Sequence, residues 1–305
     1  MRSGHPEVLF ARSEASEWQV LTPSTGLLDI SNSKTSGLQE AINYAAQHNL
    51  ALRVVGGTSD NPPNIAQNMI QCSATLLIPP LANAFWKFEG VVIDIRPGST
   101  GDGIRFDSVI HSRIVFDCSI HYHGNEAAMH VAPHNNYPRG EQPAFTGAEI
   151  RVARLRVRRG ENPAGIKLSG TVSIARNRFD VIEIEGDILD GFPVMSRGIH
   201  VAGNHPSNWF TVQALLAPGI CGIEVEGAMA NRFEAHIEPC GASARGVRTS
   251  GGHGHYVLDI AEGAAPYGVG IELTESAADN SFIVQRNRGL MPLVDNAPQG
   301  RNRFL

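Results

Sequence analysis

Short stretches of the chain alternate apolar and polar residues with a period of two, and one such stretch recurs. Glycine is followed by Ile or Val, a variable residue and an apolar or small one. It reads Gly103-Ile104-Arg105-Phe106, Gly165-Ile166-Lys167-Leu168, Gly198-Ile199-His200-Val201, Gly222-Ile223-Glu224-Val225, Gly246-Val247-Arg248-Thr249 and Gly270-Ile271-Glu272-Leu273, with Ala128-Met129-His130-Val131 as a variant. The last four glycines stand at 198, 222, 246 and 270, a constant step of 24 residues. A second phrase, Asn-x-Phe, follows most of these strands at Asn177, Asn208, Asn231, Asn280 and Asn302, and His255-Tyr256-Val257 takes its place in one coil. Alternation predicts strands with one face inward. Asn suits a turn because it tolerates left-handed backbone. One such repeat cannot bury its own apolar side, so repeats must stack.

The predicted fold is all-β: a right-handed parallel β-helix solenoid over residues 35–305, preceded by an extension over 1–34. Residues 36–48 predict an amphipathic helix that caps the open end, with Leu38, Ile42 and Ala45 on one stripe and a capping box between Ser36 and Gln39. Strands are predicted at 51–55, 75–78 and 91–95. The order of capping helix, strands and Asn-bearing coils resembles the pectate-lyase-like β-helix superfamily. That resemblance implies the fold and leaves the activity open, because the superfamily spans lyases, hydrolases, epimerases, transferases and phage tail proteins. Its polygalacturonase pattern is matched only at Gly252-His253-Gly254.

The step is irregular in two places, 37 residues from Ala128 to Gly165 and 33 from Gly165 to Gly198. Insertions are predicted at 132–147 and 186–197, flanking one strand face and forming a cleft there. The third residue of each glycine strand points outward. This gives a row of Arg105, His130, Lys167, His200, Glu224, Arg248 and Glu272, about 4.8 Å apart from coil to coil. Two residues further, on the same side, come Asp107, Ser169, Glu226, Ser250 and Thr274.

Composition narrows the function. Twenty-five basic residues against 30 acidic ones, without a basic stripe, exclude nucleic acid and an anionic membrane as expected partners. No signal peptide or apolar span is evident, so the expected location is the cytoplasm, with the four cysteines as free buried thiols. The expected function is that of a carbohydrate-active enzyme: hydrolase, lyase, epimerase or intramolecular glycosyl transferase. His130, Lys167, His200, Glu224 and Glu226 are the expected acid–base residues. Glu224 and Glu226, about 6.7 Å apart on one strand, fit an inverting hydrolytic pair. Arg105, Asp107, Tyr137, Arg248, Glu272 and Trp209 are the expected substrate contacts.

A cytoplasmic biosynthetic enzyme acting on a small molecule and a non-catalytic, phage-tail-like structural protein are the alternatives. An ion-pair ladder of Glu224, Arg248 and Glu272 is the competing account of that half of the row. His121, His123, His130 and His134 suggest a metal site only weakly, and no metal and no cofactor is expected. The last coil has no cover, so a homo-oligomer is expected.

Overall fold

The computed structural model describes residues 8–12, 19–20, 28–56, 69–134, 144–227, 229–263, 266–297 and 301–305. The chain is an all-β parallel β-helix with one N-terminal helix. Each coil contributes one strand to a long sheet of 13 strands and one to a second sheet of nine. The early coils also add a two-residue strand to a third sheet of four. The glycine phrase forms the second sheet and the Asn-x-Phe phrase opens the strands of the long one. Register follows the repeat directly: Ile199 pairs with Ile223, Ile223 with Val247 and Val247 with Ile271.

The glycines are required by close approach. A Cβ at Gly165, Gly198, Gly222 or Gly246 would lie 2.5–2.7 Å from the carbonyl oxygen of the glycine in the next coil. Ile and Val on the second sheet meet a continuous aromatic stack from the long one. Phe179, Phe210, Phe233, Tyr256, Phe282 and Phe304 stack at centroid separations of 4.6–5.2 Å. Tyr256 takes its place in the stack, as the sequence order requires.

The asparagines do a different job from the one their turn propensity suggests. The left-handed residue is the one before each asparagine: Arg176, Ser207, Ala230, Asp279 and Arg301 all have positive φ. Asn177, Asn208, Asn231 and Asn280 are themselves buried, Asn302 is half-buried, and the side chains bond to the adjoining coils. Asn208 Oδ1 accepts from Asn177 Nδ2 at 2.9 Å, and Asn208 Nδ2 donates to the Ile174 and His205 carbonyls.

The helix spans Leu38–Gln47 and buries Leu38, Ala41, Ile42 and Ala45. The predicted capping box does not form. Ser36 has φ 54°, and its hydroxyl donates to the Gln71 carbonyl. Thr35 Oγ1 instead accepts the Gln39 N–H, and Ser33 Oγ the Gly37 N–H. The freed Gln39 side chain bonds both the N–H and the C=O of Leu77, in the outermost described strand of the second sheet. The helix therefore satisfies an open strand edge with a side chain that mimics a strand. At the other end Leu290, Met291, Leu293, Phe304 and Leu305 are exposed.

The second insertion is a hairpin, Ile188–Leu189 against Phe192–Pro193, turned by Asp190-Gly191 with positive φ at both residues. It precedes the second-sheet strand Arg197–Ala202, whereas the first insertion follows the strand Ala127–Val131. The two insertions therefore join the face from opposite edges. Residues 135–143 of the first, including Tyr137, lie outside the described residues.

The outward face of the long sheet is a network of ion pairs, among them Arg154 with Glu183 and Arg156 with Asp187. Within it His236 bridges Asp259 and Glu238, 2.9 Å from each. Burial opposes its charge, but the two carboxylates outweigh burial and hold its pKa above the ordinary value. A folded-state pKa raised above the unfolded one stabilises the fold fully below the unfolded value, near 6.5, and that stability is lost as pH rises through the folded value. Thermal unfolding is expected to show the wild type losing stability relative to His236→Gln as pH rises above about 6.5. Parallel profiles for the two proteins would remove His236 as the cause.

Candidate functional site

The predicted row exists in register. Arg105 pairs with His130, His130 with Lys167, Lys167 with His200, His200 with Glu224, Glu224 with Arg248 and Arg248 with Glu272. Its two halves differ in chemistry.

In the C-terminal half the charges are consumed by one another. Glu224 is 1% exposed despite its outward phase, because Arg197, at the start of the preceding strand, folds over it. One oxygen of Glu224 meets Arg197 and the other accepts from Arg248 at 2.9 Å. Burial raises the pKa of Glu224, but its hydrogen bonds to the two guanidinium groups and the attraction of nearby positive charge outweigh this, leaving it below the ordinary carboxylate value. Glu272 pairs with Arg245 and Arg248. Arg248 and Glu272 thus belong to an ion ladder, and Glu224 is a fixed anion rather than a proton donor. The nearest oxygens of Glu224 and Glu226 lie within 4.8 Å. An inverting pair needs one carboxyl group that can hold and give up a proton, and Glu224, with both oxygens on guanidinium groups, is poorly suited to that part.

His200 Nε2 lies 3.6 Å from Glu226 and 4.0 Å from Glu224. Burial, only partly opposed by these acids, lowers its pKa and favours the neutral ring. Among the described residues these three form the one group with the spacing of metal ligands. Both oxygens of Glu224 already hold guanidinium groups, so its donor capacity is largely spent. A cavity of about 370 Å³ opens beside them, lined by Glu224, Glu226, Arg248, Ser250 and Thr274.

The N-terminal half holds a different constellation. His130 Nδ1 lies 2.8 Å from Asp102 Oδ2, and its Nε2 lies 2.7 Å from Ser169 Oγ. A carboxylate only accepts, so the neutral ring that fits here is the tautomer with its proton on Nδ1 and with Nε2 open to accept from the serine hydroxyl. The ring is 13% exposed and the Asp102 side chain 9%. Each member is braced. The Asp102 carbonyl accepts from Thr75 Oγ1, and the neighbouring Gly103 N–H donates to the Ala127 carbonyl. His130 sits inside a strand, and the Ser169 N–H donates to the Val131 carbonyl at 3.1 Å.

The next residue completes the arrangement. Gly170 has φ +132°, a conformation that side-chain-bearing residues rarely adopt, and a Cβ there would meet only the Pro133 oxygen, 4.0 Å away. Its exposed N–H makes no hydrogen bond among the described residues. A hydroxyl bonded to an imidazole, the imidazole bonded to a buried carboxylate, and a free N–H on the residue after the hydroxyl's are the parts of an acyl-transfer centre.

The remaining expected residues fall elsewhere. Asp107 is buried, and its Oδ1 accepts the backbone N–H groups of Ser108 and His134, so it anchors the start of the first insertion instead of facing a substrate. Trp209 lies on the long sheet, sandwiched between Arg178 and Arg232 at 5.1 and 4.5 Å, because Asn-x-Phe places its middle residue outward there. His121 and His123 also face outward from the long sheet, with His123 bonded to Asp94, so the four histidines do not converge. All four cysteines are buried and unpaired. No helix among the described residues is long and apolar enough to cross a membrane. Asp102 is the site residue that the repeat does not reveal; its only local signal is its place between two glycines just ahead of a strand. Comparison with protein-family models, curated proteins and solved structures returns no match for this chain.

Proposed function

We propose that the protein is a serine-type hydrolase that cleaves an ester in a polar substrate, an oligosaccharide derivative or a small molecule, laid against the outward row of the second sheet. The carrying observation is the hydrogen-bonded chain from Asp102 through His130 to Ser169. Ser169 Oγ attacks the ester carbonyl while its proton passes to His130 Nε2, and Asp102 steadies the imidazolium that forms. The Gly170 N–H, next along the chain from Ser169, serves as the donor to the charge that develops on the carbonyl oxygen. Collapse of the intermediate gives an acyl-serine and an alcohol that leaves with the proton from His130. Water, deprotonated by the same imidazole, then releases the acid and restores Ser169.

Ester cleavage is favoured over glycosidic cleavage because Glu224, one of the two carboxylates that the latter would use, is locked by Arg197 and Arg248. Membership of the pectate-lyase-like superfamily is part of the same proposal, supported by the helix-first order of the coils.

A fluorophosphonate probe tests the reading. The expected result is stoichiometric modification of the folded protein, mapped by peptide mass spectrometry to Ser169 and abolished in His130→Ala. Labelling spread over several serines, or none at all, would overturn it.

A further inference from the structure

The row carries its charge unevenly. In its C-terminal half Arg197, Arg245 and Arg248 are all matched by Glu224 and Glu272. In the N-terminal half Arg105 and Lys167 make no ion pair among the described residues. Both are half-buried. They are the register neighbours of His130, one on each side. At one strand spacing each, they stand about 10 Å apart along the solenoid axis with the imidazole between them. The nearby acids are turned to other tasks: Asp102 to the His130 ring, and Asp107 to the Ser108 and His134 N–H groups.

Half-burying a cation weakens its hydration, and charge-assisted hydrogen bonds to an anion restore what is lost. We infer that the ester cleaved at Ser169 belongs to a carboxylate-bearing substrate, whose carboxylate binds Arg105 or Lys167 beside the scissile carbonyl. The inference rests on the acyl-transfer reading for the word ester, and on the two unmatched cations for the carboxylate. Arg105 offers a planar fork that takes a carboxylate with two hydrogen bonds, and Lys167 a point charge on a flexible stem.

The test compares 4-nitrophenyl hemisuccinate with 4-nitrophenyl acetate as substrates of the wild type, Arg105→Gln, Lys167→Gln and the double variant, at low and high salt. The expected kcat/KM for the hemisuccinate exceeds that for the acetate by about tenfold or more, mainly through KM. The ratio should fall to about twofold in the double variant and shrink with salt. Equal values for the two esters in the wild type, or a ratio unchanged in the double variant, overturns the inference. If Arg105→Gln fails to fold, as judged by its melting curve, Lys167→Gln alone is read in the same way.

Calorimetric titration of the wild type with succinate and with succinamide separates this inference from the catalytic reading. With no hydrolysis of either ester, the catalytic reading fails. Salt-sensitive binding of succinate alone, weakened in the Lys167→Gln variant, then still supports the carboxylate site. Absence of that binding, or binding unchanged in the variant, removes the site as well.

Discussion

Ser169→Ala is expected to lower ester hydrolysis by about four orders of magnitude while leaving the fold intact. The hydroxyl is the atom that forms the acyl intermediate, and nothing else lies at 2.7 Å from His130 Nε2 to replace it. The side chain sits half-buried just past the end of the strand Ala164–Leu168 and its N–H bond to Val131 is kept by alanine, so the melting temperature should barely move. Asp102→Asn is the more discriminating variant. An amide can donate where a carboxylate only accepts. It therefore favours the ring tautomer with the proton on Nε2, which cannot take a proton from serine, and a loss of about 10³- to 10⁴-fold follows. Residues that act as a unit are not additive, so Ser169→Ala with Asp102→Asn should be no worse than Ser169→Ala alone. Steady-state rates with a nitrophenyl ester decide this. Hydrolysis that survives in Ser169→Ala would mean that His130 activates water directly and that no acyl-enzyme forms.

The contrast between Asp102 and the rest of the site shows what a repeat can reveal. In a parallel β-helix the offset between equivalent residues is also the strand register, so a constant step of 24 residues places Glu224 beside Arg248 and Arg248 beside Glu272. Alternation then assigns the outward face, and Arg105, His130, Lys167 and His200 follow from the same rule. Periodicity does not reveal what a side chain does once it leaves its strand. Asp102 lies 28 residues before His130, ahead of the strand Ile104–Phe106 and outside the row, and meets it through its side chain. Glu224 is outward by phase yet buried in fact, because the long Arg197 side chain covers it. Ser169 shares a face with four other polar residues. Only an imidazole nitrogen within bonding distance sets it apart. Trp209 shows the opposite error, in which an aromatic suited to stacking on a sugar is used by two arginines of the neighbouring coils.

The asparagine ladder carries the largest expected effect on stability. Asn208 is 1% exposed and bonds in both directions. Its Oδ1 accepts from Asn177 Nδ2 and from the Asn177 N–H, and its Nδ2 donates to the carbonyls of Ile174 and His205. Alanine removes all four bonds and leaves their partners in a site closed to water. Each buried group left without a partner costs about 1–3 kcal/mol, with part recovered by relaxation, so Asn208→Ala is expected to cost about 3–5 kcal/mol in urea unfolding. Asn208→Asp separates bonding from volume. It keeps the acceptor and the shape but loses both donors and buries a charge, so it should be at least as destabilising as alanine. Asn302 is the control. It occupies the last described rung, half-buried, where water can reach the freed groups, and Asn302→Ala should cost less than about 1.5 kcal/mol. Equal losses at the two positions would mean that the asparagines stabilise their own turns. A large loss at Asn208 with a small one at Asn302 would mean that they tie one coil to the next. In a solenoid whose coils touch only their neighbours, that tie makes unfolding cooperative along the axis.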